Sequence, residues 1–509
     1  MERDGNNRSI WQDVPDRTIG KISNREDVDV LVIGAGITGM TAALALQEEG
    51  QICSVLEANS IAFGTTGGTS AHLNTVLDTP YSDIIKQHGL DKTREVLQST
   101  RRAMDLIRDN VEKYAIDCDL IDCNGQMYAT TGEEKEELQK IKDAILQLGI
   151  SCSEIDNLAI PVKPLYAIEF AEQGHFNPTK YILGLAGAFE ALGGMIVTGA
   201  LVQHVKRIDG RLSVTTADGR VFRADKVIYA THTTPGIQLM NFRIAPYRSY
   251  LQLWELADHA AYPDKVLYDM EDPFHYFRTV VQGENRFLLV GGQDHKTAHG
   301  ENENVNFLEL QAFVTARFNT KRKVYQWSSQ YYESQDALPF IGYYPGKSDG
   351  RELIATGFGG NGMIFGSLSG HMLADLILKE TCEFEKLYSP TRFGPLSSVK
   401  DLVMENVDVV KHFVKDRLAV DKIEGLSELA KGEAAVLKYE GKRIGIYKDQ
   451  EGAISAVDPV CRHAGCIVKW NNTEESWDCP CHGARYGING ELLTGPAVAP
   501  LASHDIDKL

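Results

Sequence analysis

The chain has 509 residues, 43% of them hydrophobic, and a formal net charge of −18. This length allows two or three domains with a sizeable core, and the acidic balance argues against nucleic acid or an anionic membrane surface as a partner. The N-terminal stretch is polar and mixed in charge, without the basic-then-apolar order of a signal peptide, and no apolar run is long enough to suggest a membrane span. Of nine cysteines, four fall in two short C-terminal motifs, and Cys53, Cys118, Cys123, Cys152 and Cys382 are scattered without framework spacing. That usage suits a reducing compartment, so a cytoplasmic location is expected. Internal repeats and low-complexity tracts are absent.

After a polar extension (residues 1–25), Asp27 to Ile33 reads DVDVLVI, a buried parallel strand. It runs into GAGITG, with Gly34, Gly36 and Gly39, then a helix pattern to Gly50 and a second strand ending at Glu57. Strand, glycine turn, helix, strand and terminal acid form a dinucleotide-binding unit. The pyrophosphate would sit at the helix N-terminus, on Gly34, Gly36, Ile37 and Thr38, and Glu57, beside Ala58, would accept from the adenosine ribose. This fingerprint alone does not choose between FAD and NAD. The next segment, SIAFGTTGGTSAHLN from Ser60 to Asn74, is small and polar. It resembles the flavin-wrapping segment of the D-amino acid oxidase and glycine oxidase superfamily. That resemblance implies FAD and assigns Thr65, Thr66, Ser70, Ala71 and Leu73 to it. Relatives of the dimethylglycine dehydrogenase kind carry a flavin-linked His here. Gly68 falls at that position and His72 lies four residues off, so noncovalent FAD is expected, with His72 packed or hydrogen-bonded.

Tyr81 to Tyr114 is helical by period, CNGQMYAT from Cys123 reads as a strand, and EEKEELQKIKDAILQLG reads as an amphipathic helix whose charges form a solvated face. A helix follows from Lys180 to Leu192. Strands separated by a DG turn follow Met195; by resemblance this part rejoins the nucleotide domain, adding Val202, Ala230 and Thr231 to the flavin set. Pro246 to Gln293 has an antiparallel pattern and, in the superfamily, roofs the flavin. Tyr250, Tyr276 and Arg278 are the candidates for a substrate pocket there; alternation puts Tyr276 and Arg278 on one face, although aromatic and Arg residues also simply decorate sheets. His295 and His299, with Asp294, read as a loop rather than a mononuclear iron site, and no second metal is expected. WSSQYYESQDALPFIG, from Trp327 to Gly342, resembles a superfamily segment whose Arg clamps an amino-acid carboxylate. Tyr331 stands where that Arg belongs. A phenol cannot replace the bidentate clamp, which puts an ordinary α-amino acid substrate in doubt unless Arg278 or Arg248 supplies the charge. LIATGFGGNGMIFGSLSG, from Leu353, resembles the second flavin segment: strand, glycine turn, then a helix from about Met363. It assigns Gly357, Gly359, Gly360, Asn361, Gly362 and Met363 to the cofactor.

Residues 381–425 read as a linker that docks on the body, with an amphipathic helix, VMENVDVVKHFVKDRL. Beyond it, CRHAGC gives a Cys461–His463 pair and CPCHGARY a Cys479–His482 pair, fifteen residues apart. One Cys and one His per loop suit a 2Fe–2S cluster with both Cys on one iron and both His on the other. Zinc also takes Cys2His2, but zinc fingers space their ligands as a Cys pair followed by a His pair. The stretch resembles a Rieske domain of the cytochrome bc type. The resemblance assigns Cys461, His463, Cys479 and His482 to iron, pairs Cys466 with Cys481 in a disulfide, and likens Gly495-Pro496-Ala497 to the loop that covers the cluster. Ala484 replaces a Ser that donates to a cluster sulfur in high-potential members, while Tyr486, the other donor, is present. A potential low within the Rieske range of roughly −150 to +300 mV is therefore expected. The bc-complex subunits usually carry a membrane span, so this domain is not expected in such a complex.

The expected architecture is an α/β (α+β) body with a Rossmann-type FAD domain (about 26–80, 175–235 and 350–380) and an antiparallel substrate sheet (about 81–174 and 236–349), together spanning 26–380. A small all-β Rieske domain, 426–509, follows. The arrangement resembles bacterial Rieske-containing FAD oxidoreductases likened to gamma-glutamylputrescine oxidase. It implies hydride removal from a small amine or N-substituted amino acid onto FAD and single-electron transfer through the cluster to an acceptor protein or quinone. A reductase running the other way would want a separate NAD(P)H fingerprint, and none is read apart from the glycine turns given to the flavin. A redox sensor without turnover is kept open by Tyr331, and a Rieske oxygenase lacks a convincing iron triad.

Overall fold

Past Asp27 and Asp29, the continuous apolar run Val30 to Ile33 makes the inner half of strand Asp27–Ile33 one that can be covered on both faces. It forms the centre of a parallel set, paired with Val221–Tyr229 on one side and Cys53–Leu56 on the other. The sheet runs Phe340–Tyr343, Glu352–Thr356, Val221–Tyr229, Asp27–Ile33, Cys53–Leu56, Met195–Val197, with the hairpin Val202–Ile208 and Arg211–Thr216 attached at its side. Helix Ile37–Glu48 packs against this sheet. Gly39 permits the approach: a Cβ there would lie 1.9 Å from the Gly34 carbonyl oxygen. The computed structural model describes residues 5–13, 27–392 and 429–504, apart from residues 237, 301, 348, 440 and 441. The linker helix expected near residues 403–418 lies outside the described residues.

The second sheet has nine strands. Its long members, Ile244–Leu256, Asn285–Lys296 and Thr320–Ser334, are antiparallel. His275–Gln282 and Val266–Asp269 follow, then Ile121–Ala129, Tyr166–His175 and His72–Asn74. The two sheets meet where Val221–Tyr229 and Glu352–Thr356 end and the segment 64–74 passes between them. This gives the expected mixed α/β body. One local expectation is corrected: Asp294 and His295 are not in a loop. The strand continues to Lys296, because a bulge between Arg248 and Tyr250 keeps it paired with Ile244–Leu256. Successive residues then face opposite sides, Asp294 one way and His295 the other, toward Glu303 at 2.8 Å.

The C-terminal region is all-β. Three strands, Ala434–Tyr439, Lys442–Lys448 and Ile454–Val457, form one sheet, and four, Lys469–Asn471, Ser476–Asp478, Arg485–Tyr486 and Leu492–Thr494, form another. Buried Trp477 packs against Trp470, which stacks on Tyr447. Two short loops, 461–466 and 479–484, project with matching backbone bonds: Cys461 N to Cys466 O and Cys479 N to Ala484 O, both 2.8 Å.

This small domain is fastened to the edge strand Thr320–Ser334. Glu474 accepts from the backbone N–H of Ser328 at 3.2 Å and from its hydroxyl, so an unpaired edge donor is satisfied across the boundary. Arg248, fully buried, donates to Ser328 Oγ and lies 3.8 Å from Asp478, which also accepts from Arg485 at 2.9 Å. The N-terminal residues add a strap. Asn7 binds Glu474 and Thr473, while Ser9 and Trp11 donate to the Gly67 and Thr69 carbonyls of the flavin-side segment. Among the described residues no helix is long and apolar enough to cross a membrane.

Candidate active site and cluster site

A single cavity of about 450 Å³ runs from the first glycine turn, between the sheets, to the small domain. That is the size of a cofactor-and-substrate site. At one end, Gly34, Gly36, Ile37 and Thr38 present a helix N-terminus. Glu57 is fixed there by accepting from Ala35 N at 2.8 Å and Asn59 N at 2.9 Å, and burial raises its carboxyl above the ordinary value. Ala58, Thr65, Thr66, Ser70, Val202, Ala230, Thr231, Gly359, Gly360, Gly362 and Met363 also line this cavity. The donor-rich turns at 34–38 and 359–363, with an acid at the strand end, fit a flavin dinucleotide laid along them.

Five residues expected at the cofactor do not line the cavity. Gly39 serves helix packing. Leu73 is in the core because its strand alternates: His72 and Asn74 face the cavity and Leu73 faces away. Ala71 is buried at a left-handed turn, with φ of 58°. Gly357 packs against Ile244 and Ser334. Asn361 turns its amide onto Asp78, accepting from Asp78 N at 3.1 Å.

The substrate candidates divide. Tyr276 and Tyr331 line the cavity. Tyr276 lies flat over its cross-strand neighbour Gly291, where a Cβ would come within 2.1 Å of the ring. Tyr331 donates to Asp294 at 2.8 Å. Tyr250 and Arg278 are corrected: neither lines the cavity. Tyr250 faces the opposite side of the sheet, donating to Glu303 and stacking on His295. Arg278 shares a face with Tyr276 but is spent on structure, donating to the carbonyls of Ser70 at 2.7 Å and Phe176 at 3.2 Å and to His175. Burial lowers its guanidinium to about 9. Arg248 is held in the domain boundary. Among the described residues lining the cavity, no arginine therefore stands in for the missing carboxylate clamp.

Sequence reasoning missed Asp78, Ser249, Tyr268, Phe274 and Asp294 as cavity residues. Alternation from His72 through Asn74 could have flagged the turn at Asp78. His72 is buried between Tyr268 and Tyr276; its Nε2 has no partner, and burial holds the ring neutral by lowering its pKa well below the ordinary value. The last wall is the least expected. Leu492, Leu493, Thr494, Gly495, Ala497 and Val498 of the C-terminal domain close the cavity.

The two cysteine–histidine loops meet face to face. Cys466 and Cys481 are bonded to each other. The rings of His463 and His482 are 4.8 Å apart and nearly perpendicular. Nδ1 of both rings is buried with no hydrogen-bond partner. His463 Nε2 lies 3.1 Å from both the Gly236 carbonyl oxygen and the Asn241 side-chain amide nitrogen, so its outer nitrogen is engaged by the body while Nδ1 is left without a partner. The Cys461 thiol is held down at about 7, chiefly by the hydrogen bond from Cys479 and also by Tyr486, whose hydroxyl lies 3.3 Å from its sulfur. Two convergent thiols and two unpaired imidazole nitrogens are the donor set a 2Fe–2S cluster needs. Both histidines are pressed against the body. Tyr332 donates to His482 O at 3.1 Å, Gln330 to Gly483 O at 2.9 Å, and Phe242 packs edge-on to the His482 ring at 5.0 Å.

The family model described as FAD dependent oxidoreductase matches residues 29–376, and that described as Rieske [2Fe-2S] domain matches residues 420–505. The chain belongs to the FAD dependent oxidoreductase family and carries a C-terminal Rieske domain. It is similar to YhfW of Bacillus subtilis, a protein named for a Rieske 2Fe-2S centre, at 30% identity over 94% of each chain. It is also similar to gamma-glutamylputrescine oxidoreductase of Escherichia coli, at 24% identity over 70% of this chain and 85% of that one. The crystal structure of glycine oxidase from Geobacillus kaustophilus shares its fold, with a TM-score of 0.59 and 19% identity over 72% of this chain and 99% of that one.

Proposed function

We propose that this FAD-dependent oxidoreductase oxidises a small amine or N-substituted amino compound and delivers the electrons through its own Rieske domain to an external one-electron acceptor. FAD, bound noncovalently, would supply hydride acceptance, and the cluster, held by Cys461, His463, Cys479 and His482, one-electron exchange. The observation that carries the reading is the shared wall: Leu492 to Gly495, with Ala497 and Val498, of the domain that carries the cluster loops line the same cavity as the dinucleotide turn. The chain's own residues support it in three ways. Tyr276 and Tyr331 bound the reacting end and exclude water from it. Glu57 and the two glycine turns orient the cofactor along the cavity. Tyr332, Gln330 and the Gly236 carbonyl fix the cluster loops against the cavity wall. The five unpaired cysteines outside the cluster loops agree with a reducing cytoplasm.

Anaerobic reduction of the purified holoenzyme by a panel of amines and N-methyl amino compounds tests the reading. Flavin bleaching followed by a Rieske-type EPR signal is expected. Bleaching without that signal would separate the cluster from the flavin. Reduction by NAD(P)H or a ferredoxin, with none by any amine, would reverse the direction of flow.

A further inference from the structure

The charged side chains at the reacting end of the cavity are of one sign. Asp294 projects into it from the centre of the antiparallel sheet, its carboxylate accepting from the hydroxyls of Ser249 and Tyr331. Asp78 enters from the opposite wall, beside Gly360, held by Asn361 and Asn74. Asp294 is close enough to belong to the electrostatic surroundings of Asp78: enclosure, then the neighbouring Asp294, raises the Asp78 carboxyl to about 6, and burial raises that of Asp294 to about 6. Aromatic rings of Tyr268, Phe274, Tyr276 and Tyr331 stand around them. Among the described residues lining the cavity there is no Lys and no Arg. His72, beside the two acids, does not supply a positive charge, since burial pushes it toward the neutral form. His275 and His295, whose charges would favour ionised Asp294, lie outside the lining.

A buried carboxylate pair without a cation is costly in an enclosed space unless a positive ligand completes it. Aromatic faces around such a pair are attractive to an alkylated ammonium group and indifferent to a carboxylate. The polarity is the reverse of an arginine clamp, and Tyr331 is the reason: its hydroxyl binds an acid already in the wall. We propose, building on the amine-oxidation reading above, that Asp294 and Asp78 form a cation receptor, and that the substrate brings to it an alkylated cationic nitrogen and no α-carboxylate.

The test is a binding titration, independent of turnover. Oxidised holoenzyme is titrated with butyltrimethylammonium and separately with butyrate, with the flavin absorbance as readout. The cation is expected to bind at least tenfold more tightly than the anion. Asp294→Asn, which keeps the oxygen that accepts from Ser249 or Tyr331, should raise the cation's Kd tenfold or more. Asp78→Asn should act in the same direction, with flavin content and Tm confirming that each variant is folded. The proposal is overturned if the cation gives no change, if butyrate binds as tightly, or if both variants leave the cation's Kd within twofold. Cation binding in a protein that no amine reduces would keep the receptor and remove the oxidation reading. Reduction by amines in a protein that prefers butyrate would do the opposite.

Discussion

In the cluster loops the Nδ1 atoms of His463 and His482 are buried with no partner, whereas at the reacting end of the cavity the Asp294 carboxylate is already bound by two hydroxyls. A buried polar atom left unpaired costs roughly 1–3 kcal/mol. A fold accepts two such atoms side by side where a resident group completes them. Hydroxyls that can rotate away, by contrast, offset part of the cost of an empty wall and rearrange when a ligand arrives. The first region is built for something that stays, and the second for something that comes and goes.

The largest effect expected from breaking this contrast is at the cluster. Cys461→Ser removes one thiolate, and its hydroxyl does not ionise in the range where the Cys461 thiol does. Iron and acid-labile sulfide should fall to near zero while flavin remains bound. Iron analysis beside the flavin spectrum reads this directly, and a variant retaining its full iron would remove Cys461 from the ligand set.

The contrast also explains what could be read in advance. The proposed cluster ligands lie within 22 residues of one another, from Cys461 to His482, so their spacing alone suggests the geometry. The first glycine turn is legible for the same reason, since strand, turn and helix are consecutive. The reacting end is assembled from separate stretches: Asp78 after one short strand, Ser249, Tyr276 and Asp294 on three strands, Tyr331 on a fourth. No local pattern states which face of a two-sided sheet looks into a cavity. Tyr250 and Tyr276 were equivalent as sequence, and only the bulge near Arg248 and the packing of helix Asn304–Arg317 turn Tyr250 away. Arg278 misled for a related reason. A buried Arg on a sheet resembles a substrate anchor until its donors are found on the Ser70 and Phe176 carbonyls.

The domain boundary holds a second kind of buried charge, and removing half of it should have the next largest effect. Asp478 faces both Arg485, at 2.9 Å, and Arg248, at 3.8 Å, with all three side chains shut off from solvent. Asp478→Asn leaves two guanidinium groups without their counter-charge. Breaking a buried pair from one side costs about 3–5 kcal/mol. Chemical denaturation of the variant, followed through the cluster's absorbance, should show that loss. A loss below about 1 kcal/mol would mean that solvent reaches the boundary.

At the reacting end the sign is reversed. Unfolded, Asp294 and Asp78 release their protons near the ordinary 3.8; folded, each keeps its proton up to about 6. Between these values the folded state binds more protons, so these two groups favour folding at low pH and lose that contribution as pH rises through about 6. Asp294→Asn should therefore raise Tm at pH 8 more than at pH 5. An equal change at both pH values would show that Asp294 is not a raised carboxyl.

The smallest change expected is a shift in potential. Tyr486 accepts from Arg462 N at 3.0 Å and places its hydroxyl 3.3 Å from the Cys461 sulfur. With Ala484 in the position that could have carried a second hydroxyl donor, Tyr486 supplies the hydroxyl at this sulfur. A hydrogen bond to sulfur favours the more negative, reduced cluster. At about 1 kcal/mol for the bond, Tyr486→Phe should lower the potential by roughly 40 mV for a one-electron couple. Voltammetry of the intact holoenzyme measures it, and the EPR line shape monitors the ligand set. A drop with an unchanged spectrum locates the effect in the hydroxyl. No drop would mean that the hydroxyl serves Arg462 alone, and that the cluster's potential is set by its burial against Tyr332, Gln330 and Phe242.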